Sequence, residues 1–156
     1  MIKHFTGVVL LLGSVVAAGA ATPQCLKPAE IEAEQAIRFQ AELMVISDTC
    51  GQQTYIRFAK RNRDVLVEYQ HEMIERFRRN GTARAEARFD TYLTRLANEV
   101  SLRAGARPVA SVCQDAAEFL ATADTLGKDE FRRYIADRAA EHRVADRRCT
   151  STSDNN

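Results

Sequence analysis

Glu68, His71 and Glu72, with Glu75 one turn further on, are spaced three and four residues apart, so on a helix their side chains share one face. A Glu-x-x-His pair of this kind is the unit from which helical bundles build divalent-metal sites, which take two such pairs and two further glutamates from facing helices. Only one copy occurs here. Ala139 stands three places before His142, so the second histidine makes no matching pair. Glu68, His71 and Glu72 are therefore the metal-ligating candidates, and a solvated acidic face is the simpler reading of them. No cofactor is expected, because the sequence has neither a glycine-rich phosphate loop nor EF-hand spacing.

His142 falls on the apolar stripe expected for the last helix, with Phe131, Ile135 and Ala145. A buried imidazole needs a hydrogen-bond partner, and Asn62 and Tyr69 are the candidates. The expected role is structural. A hydrolytic role through His142 or paired carboxylates is the enzymatic alternative, although Ser47, Ser101 and Ser111 have no nucleophile-elbow setting. No catalytic residue is assigned.

Four cysteines, Cys25, Cys50, Cys113 and Cys149, fit neither zinc nor redox spacing and read as two disulfides. In an alternating bundle Cys50 and Cys149 end helices at the same end, so the favoured pairs are Cys50–Cys149 and Cys25–Cys113. Cys25–Cys149 with Cys50–Cys113 is the open alternative. Cys25–Cys50 is excluded by an intact first helix, which would hold them more than ~25 Å apart when a disulfide needs Cα atoms under ~7 Å apart.

A further set of polar residues has the types that build interfaces. Arg57, Arg61 and Arg63 precede a long apolar stripe, and Asp90, Thr94 and Asn98 recur every fourth residue. Arginine is enriched at protein contacts, so these six form the candidate interaction face. Interhelical hydrogen bonds and solvated ion pairs are the plainer reading.

Helices must position these groups. The stretch from Ala29 to Arg107 contains no proline, and Gly51, Gly81, Gly105 and Gly127 fall where apolar periodicity ends. Five stretches follow: about Pro28–Thr49, Gln53–Asn80, Thr82–Ala104, Pro108–Thr125 and Lys128–Cys149. The first carries Ala33, Ile37, Ala41 and Met44 as its stripe, widened by Ala36, Gln40 and Leu43. The second carries Tyr55, Phe58, Asn62, Val65, Leu66, Tyr69, Met73 and Phe77, with Asn62 marking a bend. The third carries Ala85, Phe89, Tyr92, Leu93, Leu96 and Val100, and the fourth Val109, Val112, Cys113, Ala116, Ala117, Leu120 and Ala123. Linkers of three to five residues predict an all-α, up-and-down bundle of four to five helices, stapled by disulfides.

Ahead of this domain, Lys3 and His4 precede an apolar run from Val8 to Ala21 that ends in Ala18-Gly19-Ala20. That is the pattern of a signal peptide over residues 1–20, too short and interrupted to span a bilayer. The bundle then occupies 21–149, and the polar tail 150–156 is expected to be disordered. The implied location is the periplasm or the exterior, without a stable membrane anchor. Of 156 residues, 22 are Lys or Arg and 21 Asp or Glu. Losing Lys3 with the leader evens that balance, which argues against nucleic acid as a partner. The function expected is a non-enzymatic, protein-binding bundle such as an inhibitor, adaptor or chaperone-like accessory. A small-ligand pocket bounded by Tyr55, Tyr69, Tyr92 or Tyr134 is a second alternative.

Overall fold

The computed structural model of the protein describes residues 26–79, 81 and 83–145, the last four by their backbone alone. The expected signal peptide, Cys25, Cys149, the His142 side chain and the polar tail lie outside the described residues. Those that are described form seven helices: α1 (Pro28–Thr49), α2 (Thr54–Arg61), α3 (Arg63–Arg79), α4 (Ala85–Gly105), α5 (Val109–Asp115), α6 (Ala117–Thr125) and α7 (Lys128–Ala145). None of them is long and apolar enough to cross a membrane.

The fold is all-α, as expected, but four to five helices is a wrong count. Two of the expected stretches are each interrupted at a single residue. Asn62 closes α2 with φ −105° and ψ 14°, and α3 begins at the next residue. Ala116 separates α5 from α6 in the same way, with φ −84° and ψ −2°. The first break has a local cause. Asn62 is fully buried, and its amide nitrogen donates to Phe58 O at 3.1 Å and to Leu126 O at 3.0 Å. The side chain thereby ties the end of α2 to the turn after α6. The apolar stripe nevertheless stays in register across the break, burying Phe58, Val65, Leu66, Tyr69 and Met73.

Strict up-and-down alternation also fails. Lys128 pairs with Asp64, and one turn later Arg132 pairs with Glu68. The pairs advance together, so α3 and α7 run in the same direction, where alternation over five helices would oppose them. By contrast, α1 and α3 are antiparallel: Glu30 meets Arg79 and Glu34 meets Arg76.

The centre of the bundle is α1, which packs against α3, α4 and α7. Its N-terminus is fixed by Pro28 in the first turn and by Glu30, whose carboxylate accepts the Lys27 N–H at 2.7 Å. Its C-terminus closes on Gly51 at φ 62°, with Gln52 N–H donating to Ser47 O and Gly51 N–H to Asp48 O. This double bond needs a left-handed residue, which glycine adopts without a Cβ clash. Between those caps, Ala33, Ala36, Ile37, Phe39, Ala41, Leu43 and Ile46 are all buried. That set goes around the helix rather than down one side, the mark of a helix enclosed by neighbours. Phe39 is the hub. Its ring centroid lies 5.2–5.5 Å from those of Phe119, Phe58, Tyr134 and Phe131.

Cys50, just past α1, is bonded to Cys113 in α5, with Cα atoms 5.6 Å apart. The favoured pairs Cys50–Cys149 and Cys25–Cys113 are thereby overturned. The reason is that α5 packs against α1, which brings Cys113 beside Cys50.

Candidate functional site: two clefts beside the disulfide

The loop from α4 to α5 carries Arg107, which donates to Ser111 Oγ at 2.9 Å and pairs with Asp115. Ala104 and Arg107 line a cleft on each side of this corner. The first cleft, about 590 Å³, lies between the end of α1, the start of α2 and the end of α4. Met44, Ile56 and Val109 line it with exposures of 39, 62 and 58%. They are three of the five large apolar side chains that stand exposed among the described residues, so the exposed apolar surface is concentrated here. Gly105 forms part of the wall, with no atom within 4 Å of where a Cβ would stand.

The second cleft, about 730 Å³, has an apolar floor that includes Ile46, Val100, Val112 and Phe119. Glu42, Arg103 and Arg138 stand on its lining. A third, smaller groove lies over Phe77 and Tyr92 with Arg88 and Arg95 at its edge. Arg95 stacks on the Tyr92 ring at 5.4 Å.

The arginines expected to face a partner are partly engaged within the fold. Arg57 grips Asp124 through Nε at 2.9 Å and NH2 at 2.6 Å. That hydrogen bond holds the Asp124 carboxyl below its usual range. Arg61 donates to the carbonyls of Leu126, Ala123 and Asp124 at 2.8–3.1 Å. Those carbonyls end α6 and have no helical donor of their own, so the guanidinium caps the helix at its C-terminus. Arg63 is exposed on α3. Asp90, Thr94 and Asn98 lie on the exposed face of α4, where the Thr94 hydroxyl donates back to Asp90 O.

The metal candidates are not gathered. Glu68 is paired with Arg132, Glu72 approaches Arg79 at 3.7 Å, and His71 is exposed. Among the described residues no three His, Cys, Asp or Glu residues converge. The four tyrosines lie apart as well. Tyr55 lines the first cleft and Tyr92 the third, while Tyr69 and Tyr134 pack around Phe131 and Phe39 in the core.

Glu34 has the richest set of donors. It accepts from Arg76 at 2.9 Å, from Arg38 at 2.9 and 3.2 Å, and from the Tyr92 hydroxyl at 3.3 Å. Burial alone would raise its pKa, but the arginines outweigh burial and bring it below the usual carboxylate range. Glu30 is lowered in the same way, by the Lys27 N–H and Arg79 against burial. Tyr92 is pushed up to about 12, first by burial and then by the Glu34 carboxylate, so its phenol stays a donor. Catalytic carboxylate pairs need one member raised toward neutrality. Glu30 and Glu34 instead stay ionised and saturated with donors, an arrangement that joins α1 to α3 and α4.

A pH dependence follows from that lowering. A carboxyl whose folded pKa lies below its unfolded value contributes stability above the unfolded pKa and loses it as pH falls through the folded one. Melting temperature should hold between pH 7 and about 5 and decline below about 4. Glu34→Gln should cost on the order of 1 kcal/mol at pH 7, allowing for solvent screening at the rim. The gap to the parent should then close in acid. Parallel melts across pH check this, and a gap that persists at pH 3 would contradict it.

Of the candidate residues of the sequence, Tyr55 alone, named as a pocket boundary, lines one of the two clefts beside the disulfide, the first. One signal was available for the first. Ile56 is apolar yet lies off the Tyr55–Phe58–Asn62 stripe, which places it on the surface. No family model, curated protein or solved structure matches this protein, so its reading rests on these residues.

Proposed function

We infer that this protein is a non-enzymatic, protein-binding helical bundle that works outside the cytoplasm, and that it meets its partner through the cleft of Met44, Ile56 and Val109. The observation that carries the reading is the gathering of exposed apolar side chains in one concave surface, a costly feature in a soluble protein unless it is covered. The cleft is walled by α1, by α4 and by the disulfide-bound α5 segment, so it is preorganised, and binding loses little to ordering. The export pattern of residues 1–20 and the disulfide support the location, since such bonds persist in oxidising compartments.

Comparative capture from an envelope extract tests it. The oxidised protein should retain a partner that Ile56→Asp and Val109→Asp lose by about tenfold or more in affinity. Gly105→Trp, which fills the cleft from an open wall position, should lose it too. Val67→Asp alters an equally exposed apolar residue away from the cleft and should bind like the parent. Retention by all three cleft variants would overturn the assignment.

A further inference from the structure

The second cleft has a different character from the first. Its floor is apolar, with Ile46, Val100 and Val112 each under a tenth exposed. Its charges are few and specific. Arg107 and Asp115 neutralise one another across the α4–α5 corner. That leaves Arg103 on α4, Arg138 on α7 and Glu42 on α1 around the opening. Arg103 and Arg138 form no ion pair with any described carboxylate, a property they share with Arg61, Arg63, Arg84 and Arg88, and of these six only Arg103 and Arg138 line this cleft. Arg138 is also positioned. Its NH1 donates to the Tyr134 hydroxyl at 3.3 Å, and its guanidinium carbon sits 5.7 Å from the centre of that ring.

The geometry points to a binding site for a monoanionic amphiphile, a free fatty-acid carboxylate, in the cleft between α1, α4, α5, α6 and α7. The acyl tail lies on Ile46, Val100, Val112 and Phe119, and the carboxylate accepts from Arg103 and Arg138. Guanidinium groups suit a carboxylate because their N–H donors match its two oxygens. Glu42 sets the charge: with two cations and one anion around the opening, the site has room for one further negative charge and repels a second. The volume is within the range of pockets that hold small ligands. The two clefts share Ala104 and Arg107, but none of the residues substituted to test one lines the other, so either assignment can fail without the other.

Titration of the oxidised protein with decanoate, decanol and decyl phosphate tests the site, followed by calorimetry and by amide shifts at Ile46, Val100 and Val112. Decanoate should saturate one site and bind about tenfold tighter than decanol, which shares the tail and lacks the charge. The Arg103→Gln/Arg138→Gln double variant should bring decanoate down to the affinity of decanol and leave decanol unchanged. Glu42→Gln should improve decyl phosphate, the dianion, more than decanoate. The proposal is overturned if decanoate does not saturate below about 1 mM. Equal binding of decanoate and decanol, or a double variant that discriminates like the parent, overturns it as well.

Discussion

Replacing Phe39 by Ala is expected to cost about 3–5 kcal/mol, a large share of the 5–15 kcal/mol that holds a domain of this size together. Phe39 is 1% exposed and touches four other aromatic rings, drawn from α2, α6 and α7. Removing it empties the point where those three helices meet α1. Two losses then combine: the transfer free energy of the ring, and the contacts of neighbours that cannot collapse into the gap. The tilted and edge-on contacts add to burial, since such pairs contribute about 0.5–1.5 kcal/mol beyond area. Phe39→Leu retains most of the volume and should recover more than half of the loss. Urea unfolding of the three proteins measures this, with an unchanged slope showing that the two-state comparison holds. A loss under about 1.5 kcal/mol for the alanine variant would mean that the ring is not the hub of the core.

The central place of α1 also explains where the sequence could be read and where it could not. Its ends were legible because they are written locally: Pro28 opens the helix, Gly51 closes it, and the helix runs Pro28–Thr49. Its faces were not. The stripe of Ala33, Ile37, Ala41 and Met44, even widened by Ala36, Gln40 and Leu43, assumes one buried side, and it leaves out Phe39 while placing Met44 inside. A helix with three packed neighbours buries residues off any one stripe, and that number of neighbours is a tertiary fact. In α4, which keeps a solvated face, the stripe of Ala85, Phe89, Tyr92, Leu96 and Val100 is buried as the periodicity requires. The two helix breaks divide along the same line. Asn62, a polar residue on an apolar stripe, advertised a bend. Ala116 stands between Asp115 and Ala117, with no glycine or proline nearby, and alanine has the highest helix propensity. Its break goes with the docking of α6 against α2, where Arg61 and Asn62 hold the far end of α6. The placement of α5 against α1 sets the disulfide pairing, and Val109 is exposed rather than on a buried stripe. Both clefts are lined in part by α5, so the candidate surface was the least legible part of the molecule.

Removing the Cys50–Cys113 bond should have the other large effect, and its consequences should be concentrated at the clefts. The bond joins residues 63 apart in sequence. The entropy of closing a loop of that length gives about 4 kcal/mol, through the freedom the unfolded state regains when the link is cut. The folded state has little else to retain α5. The helix is seven residues long, has no capping group from a side chain, and buries only Val112. Cutting the link therefore both destabilises the whole fold and lets α5 open locally, below the free energy of global unfolding. In the Cys50→Ala/Cys113→Ala variant, amide exchange should accelerate first from Val109 to Asp115. The cores of α1 and α3 should follow only at the global rate. Capture of a partner at the first cleft and decanoate binding at the second should weaken together, because Val109 lines one and Val112 the other. Peptide mapping without reductant supplies the covalent check. It should return Cys50 joined to Cys113, and with those two taken, the remaining intramolecular partner for Cys25 is Cys149. A Cys50–Cys149 peptide would contradict the arrangement of α5. A variant that loses under about 1 kcal/mol, with α5 exchange unchanged, would show that packing rather than the covalent link holds the wall between the two clefts.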